Sequence, residues 1–214
     1  MKKAGWLLLA VLAAVLLGLS LRGCMGNNVL DETESAKPVI YLYPEEKTEV
    51  SVKLDYDGGL TATWPTYEDG WNVTACPDGT LSDAQGNEYS YLFWEGVSDT
   101  AYDFTEGFCV AGEDTAAFLR QTLAQLGLTP REYNEFIVYW LPKMQENPYN
   151  LIAFQGEAYT DTAKLAIEPQ PDSLLRVFMA WKPFARPVTI RPQALPPFER
   201  IGFTVVEWGG AQVG

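Results

Sequence analysis

The chain predicts an α+β fold in which a mostly antiparallel β-sheet carries one or two helices on a face. Three observations predict it: strict two-residue alternation in the first half, turn signals between the alternating runs, and 3.6-residue spacing near the middle. Val50, Val52, Leu54 and Tyr56 share one face of a strand whose other face is Glu49, Ser51, Lys53 and Asp55, the pattern of a half-buried strand. Asp57-Gly58-Gly59 offers the positive-φ residues of a hairpin turn, after which Leu60, Ala62 and Trp64 resume the alternation as its second strand. The stretch Trp71 to Ala75, turns at Pro77-Asp78-Gly79 and Gln85-Gly86-Asn87, and the aromatic run Tyr89 to Trp94 extend this into a β-meander.

Asp114 is placed to cap a helix with the stripe Phe118, Leu119, Thr122, Leu123 and Leu126, and Gly127 to end it. Thr129-Pro130-Arg131-Glu132 reads as a second helix start, with Pro in the first turn and a capping-box Glu. That helix is expected to be short, because Phe136 to Trp140 is β-branched and aromatic and precedes Pro142. Further strands are expected near 150–155, 163–168, 174–181 and 202–208.

The N-terminus predicts where the domain resides. Lys2 and Lys3 precede an 18-residue uncharged, mostly apolar run, Ala4 to Leu21, then Arg22-Gly23-Cys24. As a helix the run spans about 27 Å, against about 30 Å for a bilayer core. It is longer than the usual apolar core of a cleaved signal, which favours an uncleaved signal-anchor. Leu21-Arg22-Gly23-Cys24 also resembles a lipoprotein lipobox, with Cys24 as the lipidated residue and Arg22 as the misfit; simple cleavage is the third outcome. The positive N-terminus keeps that end cytoplasmic, so the remainder is expected on the extracytoplasmic side, tethered to the membrane. Residues 25–36 read as a polar tether and 37–210 as a single domain.

After Cys24 the chain carries all 28 acidic residues against 12 of the 15 basic ones, a formal charge of −16. Such a surface repels nucleic acid and anionic polymers, leaving neutral cell-surface ligands or envelope proteins as partners. Cys76 and Cys109 can pair in an oxidising compartment or remain buried free thiols.

Three blocks stand out as text: Lys37-Pro38-Val39-Ile40-Tyr41-Leu42-Tyr43-Pro44, Tyr91-Leu92-Phe93-Trp94-Glu95-Gly96 and Val206-Glu207-Trp208-Gly209-Gly210. They resemble blocks of a family of uncharacterised exported or membrane-anchored bacterial proteins, seen especially in gut Firmicutes. The resemblance spans roughly residues 37–210. It implies a source and a compartment, and it carries no activity.

Absent residues exclude most chemistry. With no His, the Ser-His-Asp and Cys-His arrangements and imidazole zinc sites are missing, and neither GxGxxG nor GxxxxGK[ST] occurs, so no metal or cofactor is expected. Carboxylate-only chemistry survives. Glu95 and Glu207 each continue an apolar face at a strand end, each beside a Trp (Trp94, Trp208) and before a Gly. Brought into one cleft, they would form a glycosidase-like acid pair with aromatic platforms. The plainer reading is that such acids face water where a strand leaves the core. Asp172 and Arg176 flank a strand and would either seat a ligand or form a structural ion pair. Six Trp follow the anchor, most expected in the core, with Trp64 and Trp71 explained by packing beside Leu60, Ala62, Val73 and Ala75. The expected function is therefore a non-catalytic binding or envelope-interaction module; the alternative is a hydrolase using Glu95 and Glu207.

Overall fold

The computed structural model describes residues 33–214. Strands β1 (Thr33–Tyr43), β2 (Thr48–Tyr56), β3 (Gly59–Trp64), β4 (Trp71–Ala75), β5 (Leu81–Ser82), β6 (Glu88–Tyr89), β7 (Leu92–Ser98) and β8 (Glu106–Ala111) come first. Helices α1 (Thr115–Gln125) and α2 (Pro130–Met144) follow, then β9 (Tyr149–Gln155) and the short α3 (Glu157–Thr160). The chain closes with β10 (Ala163–Glu168), β11 (Ser173–Phe184), β12 (Arg191–Pro192) and β13 (Thr204–Gln212).

These strands form two sheets rather than the one expected. The larger has the order β12-β8-β9-β11-β13-β1-β7-β3 and the smaller β10-β2-β4-β5-β6. The smaller sheet is antiparallel throughout, but the larger is mixed because β11 runs parallel to β13 and β12 to β8. The connection from β11 to β13 is pinned to the helices on its way: Gln125 donates to the Leu195 carbonyl at 2.8 Å, and Arg200 donates to the Gly127 carbonyl and the buried Glu132 carboxylate.

Alternation along β1 explains the layering. Val39 and Tyr41 pack with Leu119, Leu123, Phe136 and Trp140 on the helical side, while Ile40 and Leu42 pack with Val50, Val52 and Trp71 of the second sheet. The larger sheet is thus the middle layer, buried on both faces, and residues of β13 from Thr204 to Ala211 are buried without interruption.

Several expectations change. The Asp57-Gly58-Gly59 turn joins no hairpin: β2 pairs with β4 and β10, whereas β3 crosses to the other sheet and pairs with β7. Alternation identifies a half-buried strand but not its neighbour. The Pro77-Asp78-Gly79 and Gln85-Gly86-Asn87 turns do close hairpins, β4 to β5 and β5 to β6. The second helix is not short. Phe136, Trp140 and Met144 recur every fourth residue and are buried on the sheet, a packing gain that overrides the strand propensity of the segment. Pro142 is tolerated near its end because the carbonyl it cannot satisfy belongs to Val138, which is 75 % exposed to water. The tether is shorter than expected, since Ser35 and Ala36 are buried within β1, which starts at Thr33. The anchor at 1–24 and Cys24 lie outside the described residues, among which no helix is long and apolar enough to cross a membrane.

Candidate functional site

Glu207 does not open onto a cleft. It sits on β13 directly across from Arg176 of β11, and both side chains enter the layer between the sheets. The Arg176 Nε donates to Glu207 Oε2 at 2.6 Å, and the Trp94 indole N–H donates to Glu207 Oε1 at 3.3 Å. The side chains are 9 % and 1 % exposed. The guanidinium also lies over the Tyr159 ring of α3, 4.8 Å from its centre. Burial drives the Tyr159 phenol well above its ordinary pKa, and the Glu207 carboxylate adds to that. For Arg176, burial acts to lower the pKa, but Glu207 and Tyr159 outweigh it and the net direction is up. Arg176 Nη2 and the Tyr159 hydroxyl have no hydrogen-bond partner among the described residues.

Glu95 faces the other way. It follows Trp94 on β7, and Trp94 points between the sheets, so Glu95 projects to the helical side. There its Oε1 accepts the backbone N–H of Lys37 at 3.1 Å, and its charge is felt by Tyr139 of α2. Glu95 and Glu207 are therefore separated by the thickness of the sheet, and the acid pair has no common cleft. Trp94 and Trp208 are likewise buried on opposite faces, Trp208 against Phe136 at 5.3 Å.

The three distinctive sequence blocks turn out to be neighbours. They occupy β13, β1 and β7, adjacent at the centre of the larger sheet. Lys37 has φ of 59°, at an irregularity where β1 shifts register against both neighbours. Glu95 holds that irregularity from one side; on the other, Pro38 approaches Gly209 so closely that a Cβ there would lie 2.9 Å from its Cα. The blocks encode packing.

Asp172 and Arg176 do not pair: Arg176 is taken by Glu207, and Asp172 accepts the Phe203 N–H at 2.7 Å. Cys76 and Cys109 are free thiols, Cys76 beyond the end of β4 in the smaller sheet and Cys109 in β8 of the larger, its Sγ accepting the Val188 N–H. No group of three or more Cys, Asp and Glu gathers where a metal could bind among the described residues.

The exposed feature lies at the opposite end of the sheet. Trp64 is 61 % exposed at the end of β3, touching Tyr89 edge-to-face at 5.8 Å, whereas Trp71, Trp94, Trp140, Trp181 and Trp208 are all buried. Leu60 is also exposed, at 39 %. The packing expected for Trp64 beside Val73 and Ala75 is absent because those residues belong to β4 of the smaller sheet, whereas β3 joins the larger one, with Trp64 opposite Phe93. Beside the start of β3, an open cavity of about 730 Å³ is lined by Gly59 and by Asp57, Asp99, Glu157 and Asp161, with no basic residue. Sequence reasoning missed both. The available signal was the run from Leu54 to Gly70, which has exposed acids at both ends, no base, and an uncharged middle.

No protein-family model matches the chain, and no solved structure matches it. Over 77 residues it is 48 % identical to the "Uncharacterized protein in bglA 3'region" of Butyrivibrio fibrisolvens, a stretch covering 35 % of this chain and 79 % of that protein. That relative's name assigns no activity. At this identity over most of the relative's length, the chain belongs to the same family as the Butyrivibrio fibrisolvens protein.

Proposed function

We propose that the chain is a non-catalytic binding module, held at the extracytoplasmic face of a membrane by residues 1–24, that engages its partner through the β3 edge. One observation carries the reading: among six described tryptophans, Trp64 alone is set in solvent, on a strand with an open side. An exposed large aromatic at an open edge is the kind of residue that dominates binding energy at protein surfaces. The buried Arg176–Glu207 pair supports the same reading from the opposite direction. A carboxylate held by a guanidinium and an indole N–H, with 1 % of its side chain exposed, has no route to a substrate.

Retention of the detergent-solubilised full chain on isolated bacterial envelope material tests this. Trp64→Ala is expected to lower retention at least tenfold while leaving the melting temperature unchanged. Equal retention would remove β3 as the binding face. Protease added to intact cells is expected to cut the domain without lysis; protection until lysis would overturn the extracytoplasmic placement.

A further inference from the structure

We infer that β3 is a docking edge for an extended, cationic segment of a partner protein, which adds to the larger sheet as a further strand. This rests on the reading of β3 as the binding face and names what binds there. Of the four sheet edges, three are blunted. β12 is two residues long, one of them Pro192, which lacks an N–H, and its Arg191 is tied to Glu106. β10 exposes Lys164 and Glu168. β6 is two residues long and includes Glu88. Proteins blunt edges in these ways because a bare strand presents unpaired N–H and C=O groups to any other strand.

β3 is neither short, charged nor proline-bearing, and its one irregularity is a register shift against β7 between Leu60 and Ala62. It runs six residues, Gly-Leu-Thr-Ala-Thr-Trp, with no charge and no proline, and all but Thr63 are exposed. Added strands gain affinity from main-chain hydrogen bonds and specificity from alternate side chains, here meeting Ala62 and Trp64 on one face, opposite Glu95 and Phe93, while the register shift turns Leu60 to the other face.

Charge selects the occupant. Asp57 precedes the strand, Glu68 and Asp69 follow it, all three are exposed, and no Lys or Arg occurs from Leu54 to Gly70; Asp55, in β2, faces Lys164 of β10 instead. At the Gly59 end the acidic cavity adds Asp99, Glu157 and Asp161. Its acids are spread around the lining rather than gathered for a metal, which suits the long, mobile heads of lysine or arginine. A second copy is the wrong occupant, because antiparallel pairing of two β3 strands would set one copy's Asp57 against the other's Glu68 and Asp69.

The test uses the full chain in detergent and three synthetic peptides: Lys-Lys-Val-Thr-Val-Thr-Val-Lys-Lys, its glutamate-flanked counterpart, and the lysine-flanked peptide N-methylated at alternate backbone nitrogens. The lysine-flanked peptide is expected to slow amide exchange across residues 59–64, to shift Trp64 fluorescence, and to bind at least tenfold tighter than either control. Its affinity is expected to fall as salt rises. Equal binding of the N-methylated peptide would overturn strand addition while leaving Trp64 as a contact surface. Equal binding of the glutamate-flanked peptide would overturn the cationic partner. Absence of binding by all three, with Trp64→Ala still abolishing envelope retention, would overturn this inference and keep the broader reading. Dimerisation that protects residues 59–64 without peptide would overturn it in favour of a second copy.

Discussion

At the centre of the larger sheet, β13, β1 and β7 bury Trp94 and Trp208 beneath layers on both sides; at its edge, β3 leaves Trp64 61 % exposed. The residue type is the same and so is the strand conformation. What differs is how much of the surroundings is specified. At the centre every neighbour is fixed by close approach, Gly209 against Pro38 and Glu207 against Arg176. At the edge nothing on the far side is specified by the described residues. The centre is therefore where substitution should cost stability, and the edge where it should cost binding.

Glu207→Ala breaks the central half of that contrast most severely. It leaves the Arg176 guanidinium buried without its carboxylate, and a loss of about 3–5 kcal/mol in urea unfolding is expected. A loss below about 1 kcal/mol would mean that water reaches the pair and that the site is not sealed. Gly210→Ala comes next. Its Cβ would lie 2.6 Å from the Met179 carbonyl oxygen and 2.8 Å from Trp140 Cζ2, and about 1–3 kcal/mol should be lost by thermal unfolding.

Asp83→Asn probes the support of the edge. The Asn87 amide first, and the Tyr89 hydroxyl with the Asn87 and Gln85 backbone N–H groups, hold the Asp83 carboxyl down to about 2. An unfolded carboxyl ionises near 3.8, so the folded state gains stability from this carboxylate that is fully present above about pH 4 and is lost as pH falls toward 2. The variant should show a small drop in melting temperature at pH 7 that vanishes near pH 2; a drop independent of pH would assign the effect to something other than the charge. Trp64→Ala should move stability least, within about 0.5 kcal/mol, measured beside its loss of retention.

The sequence revealed much of the fold locally and little of it globally. The faces of β2 and α1, the capping box at Thr129 and Glu132 and two of the hairpin turns were legible because each is a contact between residues close in the chain. The crossing of β3 into the other sheet, the parallel pairing of β11 with β13 and the full length of α2 were not, because each is decided by packing against distant segments. The candidate site failed for the same reason. Glu95 and Glu207 both looked like strand-end acids beside Trp, and only the pleat sends them to opposite faces. Trp64 looked like core because alternation cannot tell an inner strand from an edge.

The pairing of β1 with β13 has a consequence for how the protein is made. Tyr41, in the first described strand, lies opposite Val206 in the last, and β13 fills the space between β1 and β11. A polypeptide emerging N-terminus first cannot complete this layer until Thr204–Gln212 has been delivered. A chain stopped just short of Thr204 lacks the heart of the sheet rather than its rim, so a nonsense mutation there should abolish folding as thoroughly as one within β1.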